Sequence, residues 1–170
     1  MDPLRIVFLD RDTLPASIDL PAPQVPHELI CHAHTAPDQV AERIRDADIV
    51  ITNKVVLTAD VLQQALRLRM IAVAATGIDN IDLDACNRRN IVVSNVRDYA
   101  THTVPEHTFS LILALRRSLL AYRQSVADVR WYESGQFCYF DFPVRDLAGS
   151  TLGIIGRGAL GEAVAEIARA

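Results

Sequence analysis

The sequence is short of the residues that staple, anchor or charge a protein in one direction. Only three of its 170 residues are cysteine (Cys31, Cys86 and Cys138), an odd number with no C-x-x-C pair. That excludes a disulfide frame and a paired-cysteine metal site, and implies reduced thiols in a cytosolic protein. His27, His32, His34 and His102 lack the partner spacing of a metal site. Positive charge is not in excess: 17 basic against 21 acidic residues give −4, unlike the basic surface that nucleic acid requires. No apolar run reaches the length of a membrane span, and the first residues enter a short strand without a signal-peptide pattern. The expectation is a cytoplasmic protein with no metal, nucleic acid or membrane among its partners. What is abundant is apolar side chain: half the residues are hydrophobic. The length suits one domain, or one domain and a piece of another.

Short β-branched runs alternate with helical patterns. Arg5 to Leu9, Leu29 to Cys31, Ile49 to Thr52, Met70 to Ala75 and Ile91 to Ser94 read as strands. Between them lie a helix from Pro37 to about Arg45 capped by Thr35, one capped by Thr58 and running to about Leu68, and a short one from Leu83 to Arg89. This alternation predicts βαβ units and a parallel sheet, an α/β fold. Residues 12 to 27 hold four of the eight prolines and read as a long irregular connection. Thr103-Val-Pro-Glu106 has the form of a capping box with proline in the first turn. The helix it opens, to about Ala121, is apolar on nearly all sides, which predicts burial. The aromatic stretch 122–150 either covers a partner such as a second subunit or folds onto its own core.

Leu152 to Ile155 reads as a buried strand, Gly156, Gly158 and Gly161 fit G-x-G-x-x-G, and Glu162 to Ala170 reads as the start of a helix. This is the context of a dinucleotide-binding turn: one glycine for the turn, one for backbone approach to pyrophosphate, one for close helix packing. An ordinary glycine turn between strand and helix is the plainer alternative. A strand and half a helix cannot bury their own apolar faces. Residues 150–170 are therefore expected to be disordered, swapped or aggregation-prone unless a partner covers them.

Four blocks, in order, resemble the D-isomer-specific 2-hydroxyacid dehydrogenases. Ala75-Thr-Gly-Ile-Asp-Asn-Ile-Asp82 is similar to the family's G-x-D-N-I-D turn. Ile91-Val-Val-Ser-Asn-Val96 follows. Then comes Val104-Pro-Glu-His-Thr108, where the family commonly has alanine in place of Pro105, and last Asp146-Leu-Ala-Gly-Ser-Thr-Leu-Gly-Ile-Ile-Gly156 with the glycines after it. Val7 to Leu14, Thr52-Asn-Lys54 and Phe137-Cys138 look like the glycerate dehydrogenase (hydroxypyruvate reductase) branch. The resemblance implies a flavodoxin-like parallel-sheet substrate domain over 1–100, an interdomain helix over 101–122 and a connecting arm over 123–150. Residues 151–170 would be the first strand-turn-helix of a Rossmann NAD-binding domain. It also implies a small 2-oxo or 2-hydroxy acid substrate, a homodimer, and NAD or NADP as coenzyme, NAD being favoured. The acidic ribose ligand that would separate the two lies about 20 residues past such a turn.

By the same resemblance the backbone N–H groups of Thr76 and Gly77 hold the substrate carboxylate, with Asn53 and Lys54 at the same sheet edge. Gly156, Gly158, Ala159, Leu160 and Gly161 hold the coenzyme. Thr108 either approaches its nicotinamide end or bonds its own helix backbone. The family's general-acid His, orienting Glu and substrate-binding Arg have no counterpart here, so no catalytic residue is assigned and the chain as given is expected to be inactive. Glu106 and His107 are adjacent on a helix and do not face each other. Two other readings remain. One is a non-catalytic remnant that dimerises or binds a carboxylate. The other is a phosphatase of the haloacid dehalogenase type, from Asp10 and Asp12, although Thr13 stands where that motif wants one more residue.

Overall fold

The β-branched runs become five parallel strands of one sheet. The computed structural model describes residues 2–170. Its strands are β1 (Leu4–Phe8), β2 (His27–Cys31), β3 (Ile49–Thr52), β4 (Met70–Val73) and β5 (Val92–Asn95). Their spatial order is β2-β1-β3-β4-β5, the doubly wound order of flavodoxin-like sheets. The expected α/β class is therefore the observed one. The chain forms two compact units, the first ending at Arg97 and the second running Asp98–Ala170.

In the first unit the register aligns one row of side chains across the sheet. Ile30 stands beside Val7, Val7 beside Val50, Val50 beside Ile71 and Ile71 beside Val93. Three short helices contribute to the same core: α1 (Val40–Ile44), α2 (Ala59–Gln64) and α3 (Leu83–Arg88). Val40, Ile44, Leu62, Ala85 and Cys86 belong to one buried cluster with Val7, Val50 and Ile71. Each fully buried aliphatic side chain of this kind contributes about 1.5–3 kcal/mol. Burial also pushes the Cys86 thiol up from its ordinary pKa.

Local chemistry sets the helix ends. Thr58 accepts from the Val61 N–H at 3.4 Å and Asp82 from the Ala85 N–H at 2.8 Å, so both cap helix starts. Helix α2 stops at Gln64, short of the expected Leu68, because the Arg89 guanidinium takes the Leu62 and Ala65 carbonyls at its end. Thr35 does not cap a helix. Its hydroxyl donates to the Leu9 carbonyl and accepts from Arg43 at 2.6 Å. The chain enters α1 through a 3-10 turn, Pro37–Gln39, preceded by Ala36. In the long connection after β1 the Arg11 guanidinium bonds the Leu14 carbonyl at 2.9 Å and the Ile18 carbonyl at 2.8 Å, giving that loop its shape.

The second unit is built on α4 (Thr103–Arg116), with α5 (Leu119–Ala127), α6 (Arg130–Glu133) and α7 (Ala159–Arg169). Four expectations fail here. The capping box does not form: the helix starts after His102 with no side-chain cap, and the Glu106 N–H that Thr103 would take already bonds the His102 carbonyl at 3.1 Å. The helix does not run to Ala121, because Ser118 takes a left-handed φ of 48° that ends α4 and starts α5. Nor is α4 buried all round: Leu111, Leu113 and Leu115 are exposed and only Pro105 is buried. Leu152–Ile155 is likewise not a strand. It pairs with no other segment among the described residues, and an unladdered run leaves Ile155 fully exposed. Helix α7 packs against α4.

The aromatic stretch does two things. Tyr139 and Phe142 fold back onto Tyr122, with ring centroids 5.5 and 5.2 Å away. The Tyr122 hydroxyl donates to the Phe142 carbonyl at 2.8 Å, and Arg130 pairs with Asp141 at 2.7 Å. Tyr132, Phe137 and Phe140 instead stay 86–89% exposed.

At the amino end of β3 the Asp48 carboxylate is buried. It accepts from the Arg5 N–H at 2.9 Å, from Arg69 at 3.1 Å and from Arg67 at 3.3 Å. The Arg5 N–H bond is the main cause that holds its carboxyl below the usual range, against the opposing effect of burial. A depressed carboxyl stabilises the fold above the unfolded-state pKa of about 3.9, and that stabilisation is lost as pH falls through the lower folded value. We expect Asp48→Asn to cost about 1–3 kcal/mol near neutral pH. The gap to the parent should close as melting is followed down into the acid range. A gap that persists there would show that the charge of Asp48 does not carry the effect.

Candidate functional site

In a parallel sheet of this order, ligands meet the loops at the carboxyl ends of the strands, and the switch point lies between β1 and β3. Asp10 follows β1 and is 4% exposed. It accepts from the Asn53 N–H at 2.9 and 3.1 Å and from the Lys54 N–H at 2.6 Å. This carboxylate is therefore occupied as a strut between the loops after β1 and β3, and is not presented as a nucleophile. Reading Asp10 only as part of a phosphatase motif missed the strut. Its signal in the sequence is an acid directly after an apolar strand.

The β3 loop is in turn held by the β4 loop. Asn80 Nδ2 donates to the Val55 carbonyl at 2.9 Å, and the Leu57 N–H donates to the Asn80 carbonyl at 2.8 Å. Thr76 and Gly77 lie on this loop, directly after β4. The backbone N–H groups of Thr76, Gly77 and Ile78 have no hydrogen-bond partner among the described residues. Gly77 does not need a positive φ. An added Cβ would stand 3.0 Å from the carboxylate oxygen of the exposed Asp79 side chain, a tight contact that a small shift of that side chain relieves.

Asn53 and Lys54 are brought to the same edge. Asn53 keeps a buried Oδ1 without a partner among the described residues. Lys54 is exposed, forms no ion pair among the described residues, and lines a cavity of about 610 Å³ with Asp10, His34, Thr35 and Thr58. Thr76 and Gly77 do not line that cavity. One further residue of the edge was not anticipated as a site residue. Asn95, the last residue of β5, donates from Nδ2 to the Thr76 carbonyl at 2.7 Å.

In the second unit the glycine turn precedes α7, whose first residue Ala159 follows Gly158 as cap. Gly156 has φ 98°, which favours glycine. A Cβ on Gly161 would overlap the Gly156 carbonyl oxygen, so the helix can approach the turn only with glycine there. A Cβ on Gly158 would meet nothing within 4 Å. That open side, at the N–H end of an eleven-residue helix, fits a phosphate-bearing ligand. The residues present thus fit a dinucleotide. Glu162 in the first turn is paired with Arg157 at 2.9 Å, which holds its carboxyl below the usual range. The Thr108 hydroxyl donates to the Val104 carbonyl of its own helix at 2.8 Å.

The chain belongs to the D-isomer specific 2-hydroxyacid dehydrogenases: the model of that family's catalytic domain matches residues 8–170. Among its relatives, it is 47% identical to the glycerate dehydrogenase of Methylorubrum extorquens over 167 residues, covering 98% of this chain and 52% of that protein. It is 32% identical to the hydroxypyruvate reductase of Blautia hydrogenotrophica over 171 residues, covering 98% and 53%. Among solved structures it is similar to the D-lactate dehydrogenase of Aquifex aeolicus complexed with NAD and lactic acid. That match has a TM-score of 0.73 at 25% identity, and covers 96% of this chain and 48% of that one. The chain spans about half the length of the curated relatives it matches.

The glycine geometry separates two substitutions. Gly161→Ala is expected to cost about 1–3 kcal/mol by overpacking and to move the backbone amide resonances of residues 156–162. Gly158→Ala is expected to cost about 1 kcal/mol or less, a small change at a helix cap, with shifts confined to its neighbours. Equal disturbance by the two would contradict the close approach of α7 to the Gly156 carbonyl.

Proposed function

We propose that these residues form the substrate lobe and the start of the coenzyme lobe of an NAD(P)-dependent D-2-hydroxyacid dehydrogenase. The enzyme reduces a small 2-oxo acid such as hydroxypyruvate or glyoxylate. The observation that carries this reading is the run of unpartnered N–H groups at Thr76, Gly77 and Ile78, after β4 on the carboxyl edge. Such donors suit a carboxylate, and a glycine among them lets it come close. Lys54, exposed at the same edge, adds attraction for the acid's charge, and Asn53 offers its buried amide.

Gly156, Gly158, Ala159, Leu160 and Gly161 hold the coenzyme, with Thr108 near its nicotinamide end. The coenzyme is NAD or NADP, and we favour NAD. When bound, it supplies the hydride for the substrate's carbonyl carbon. The proton donor, its orienting carboxylate and the substrate arginine have no counterpart among these 170 residues, so the chain alone binds without turnover. The matching domain division is a substrate lobe over 1–100, a linking helix over 101–122, an arm over 123–150 and the beginning of the coenzyme lobe over 151–170. A homodimer is part of the reading, supported by the exposed Tyr132, Phe137 and Phe140. The three unpaired cysteines support a cytoplasmic location. No helix among the described residues is long and apolar enough to cross a membrane.

Titrating the chain with glyoxylate or hydroxypyruvate should move the amide resonances of Thr76, Gly77 and Ile78. Movement confined to other residues rejects the carboxylate assignment. With NADH or NADPH and either acid, no coenzyme oxidation is expected, and any turnover by the purified chain would refute its inactivity. Sedimentation should report two copies per particle; a monomer would remove the dimer from this reading.

A further inference from the structure

We infer that Asn95 is a positioning residue for the carboxylate site, acting through the peptide of Thr76. This rests on the carboxylate-binding reading of Thr76 and Gly77. The pairing of β4 with β5 sets Val73 beside Asn95, the last residues of the two strands. Beyond that point the β4 chain leaves the ladder, and among the described residues two bonds join it to the β5 side. The Val96 N–H donates to the Ala75 carbonyl at 3.1 Å, and Asn95 Nδ2 donates to the Thr76 carbonyl at 2.7 Å.

The second bond has a directional consequence. A peptide unit is planar, with its C=O and N–H pointing opposite ways. Fixing the Thr76 carbonyl toward Asn95 therefore fixes the Gly77 N–H away from β5. The neighbouring Ile78 N–H has no partner to oppose that direction. Gly77 has no side chain to hold its own conformation, so the orientation of this donor depends on what grips the carbonyl before it. The far end of the same loop is gripped by Asn80 on the Val55 carbonyl at 2.9 Å. Asn95 is thus the near grip, and its amide N–H is the feature that matters. Aspartate has the same shape but only acceptors at neutral pH, and would push the Thr76 carbonyl away.

The test compares the parent chain with Asn95→Asp and Asn95→Ala. The probe is oxamate, a stable analogue of a 2-oxo acid, followed through the amide resonances of Thr76, Gly77 and Ile78. Thermal melting and the Val50 and Ile71 amides report on the sheet. The parent is expected to bind. Asn95→Asp should bind about tenfold more weakly, the change that a lost hydrogen bond of about 1.4 kcal/mol produces, with Asn95→Ala affected less. Without oxamate, nitrogen relaxation in Asn95→Asp should show greater mobility confined to residues 75–78, while the sheet amides and the melt stay near the parent's. Parent-like affinity and mobility in Asn95→Asp would overturn the role of Asn95 alone. Absence of any oxamate response at these three amides in the parent would overturn the carboxylate reading and this inference with it. If Asn95→Asp loses the sheet signals, Asn95→Ala decides: parent-like affinity there refutes the positioning role, and weaker binding with an intact sheet supports it.

Discussion

Asp10 ties the sheet together at the edge where ligands of such folds bind. It follows β1, the strand at which the direction of winding reverses, and its buried carboxylate accepts from the first two N–H groups after β3. The buried member of these bonds is the Asp10 carboxylate, and a buried acceptor left without its donors costs about 1–3 kcal/mol. The order that Asp10 imposes on the β3 loop is passed along the edge. Val55, on that loop, offers its carbonyl to Asn80, and Asn80 sets the β4 loop. Thr76, on the β4 loop, offers its carbonyl to Asn95 at the end of β5. A parallel sheet brings strand ends together but supplies no ladder beyond them. Polar side chains at those ends take over as the fixing groups.

The opposite edge uses charge for the same purpose. Asp48 stands before β3 and gathers Arg5, Arg67 and Arg69 from the neighbouring chain segments. Only the carboxylate is buried; both guanidinium groups that pair with it are more than half exposed. The arginines therefore keep their water while the carboxylate exchanges its own for a backbone N–H. That arrangement avoids the larger penalty of burying both members of an ion pair.

The five strands and their parallel arrangement were legible because β-branched runs separated by short helical patterns leave few other folds. The errors fell where a neighbour decides. Leu152–Ile155 has strand composition, yet no other segment among the described residues pairs with it. Thr103 and Glu106 have capping-box spacing, yet the preceding turn already supplies the helix with its first carbonyls. Ser118 breaks the apolar helix by a left-handed φ that a serine does not announce. Thr76, Gly77 and the three motif glycines, which the proposed reading uses, could be singled out from the ordered local motifs. The struts Asp10 and Asn95 could not be given their roles, because each acts on a segment 19 to 44 residues away.

The sequence by itself determined the class of fold, the place of the glycine turn and the family, since these rest on periodicity and on ordered local motifs. It also singled out the glycines of both turns, but not which of them the packing requires. Gly156 is favoured by its own φ and Gly161 is required by the carbonyl of Gly156, whereas Gly77 and Gly158 have room or a movable neighbour. Only the tertiary structure decided that the donors of Thr76, Gly77 and Ile78 are left free, and that Asn80 and Asn95 hold the loop that carries them. The physical reason is range. Propensity and spacing act over a few residues, whereas a hydrogen bond between loops exists only once the sheet register has set distant strands side by side.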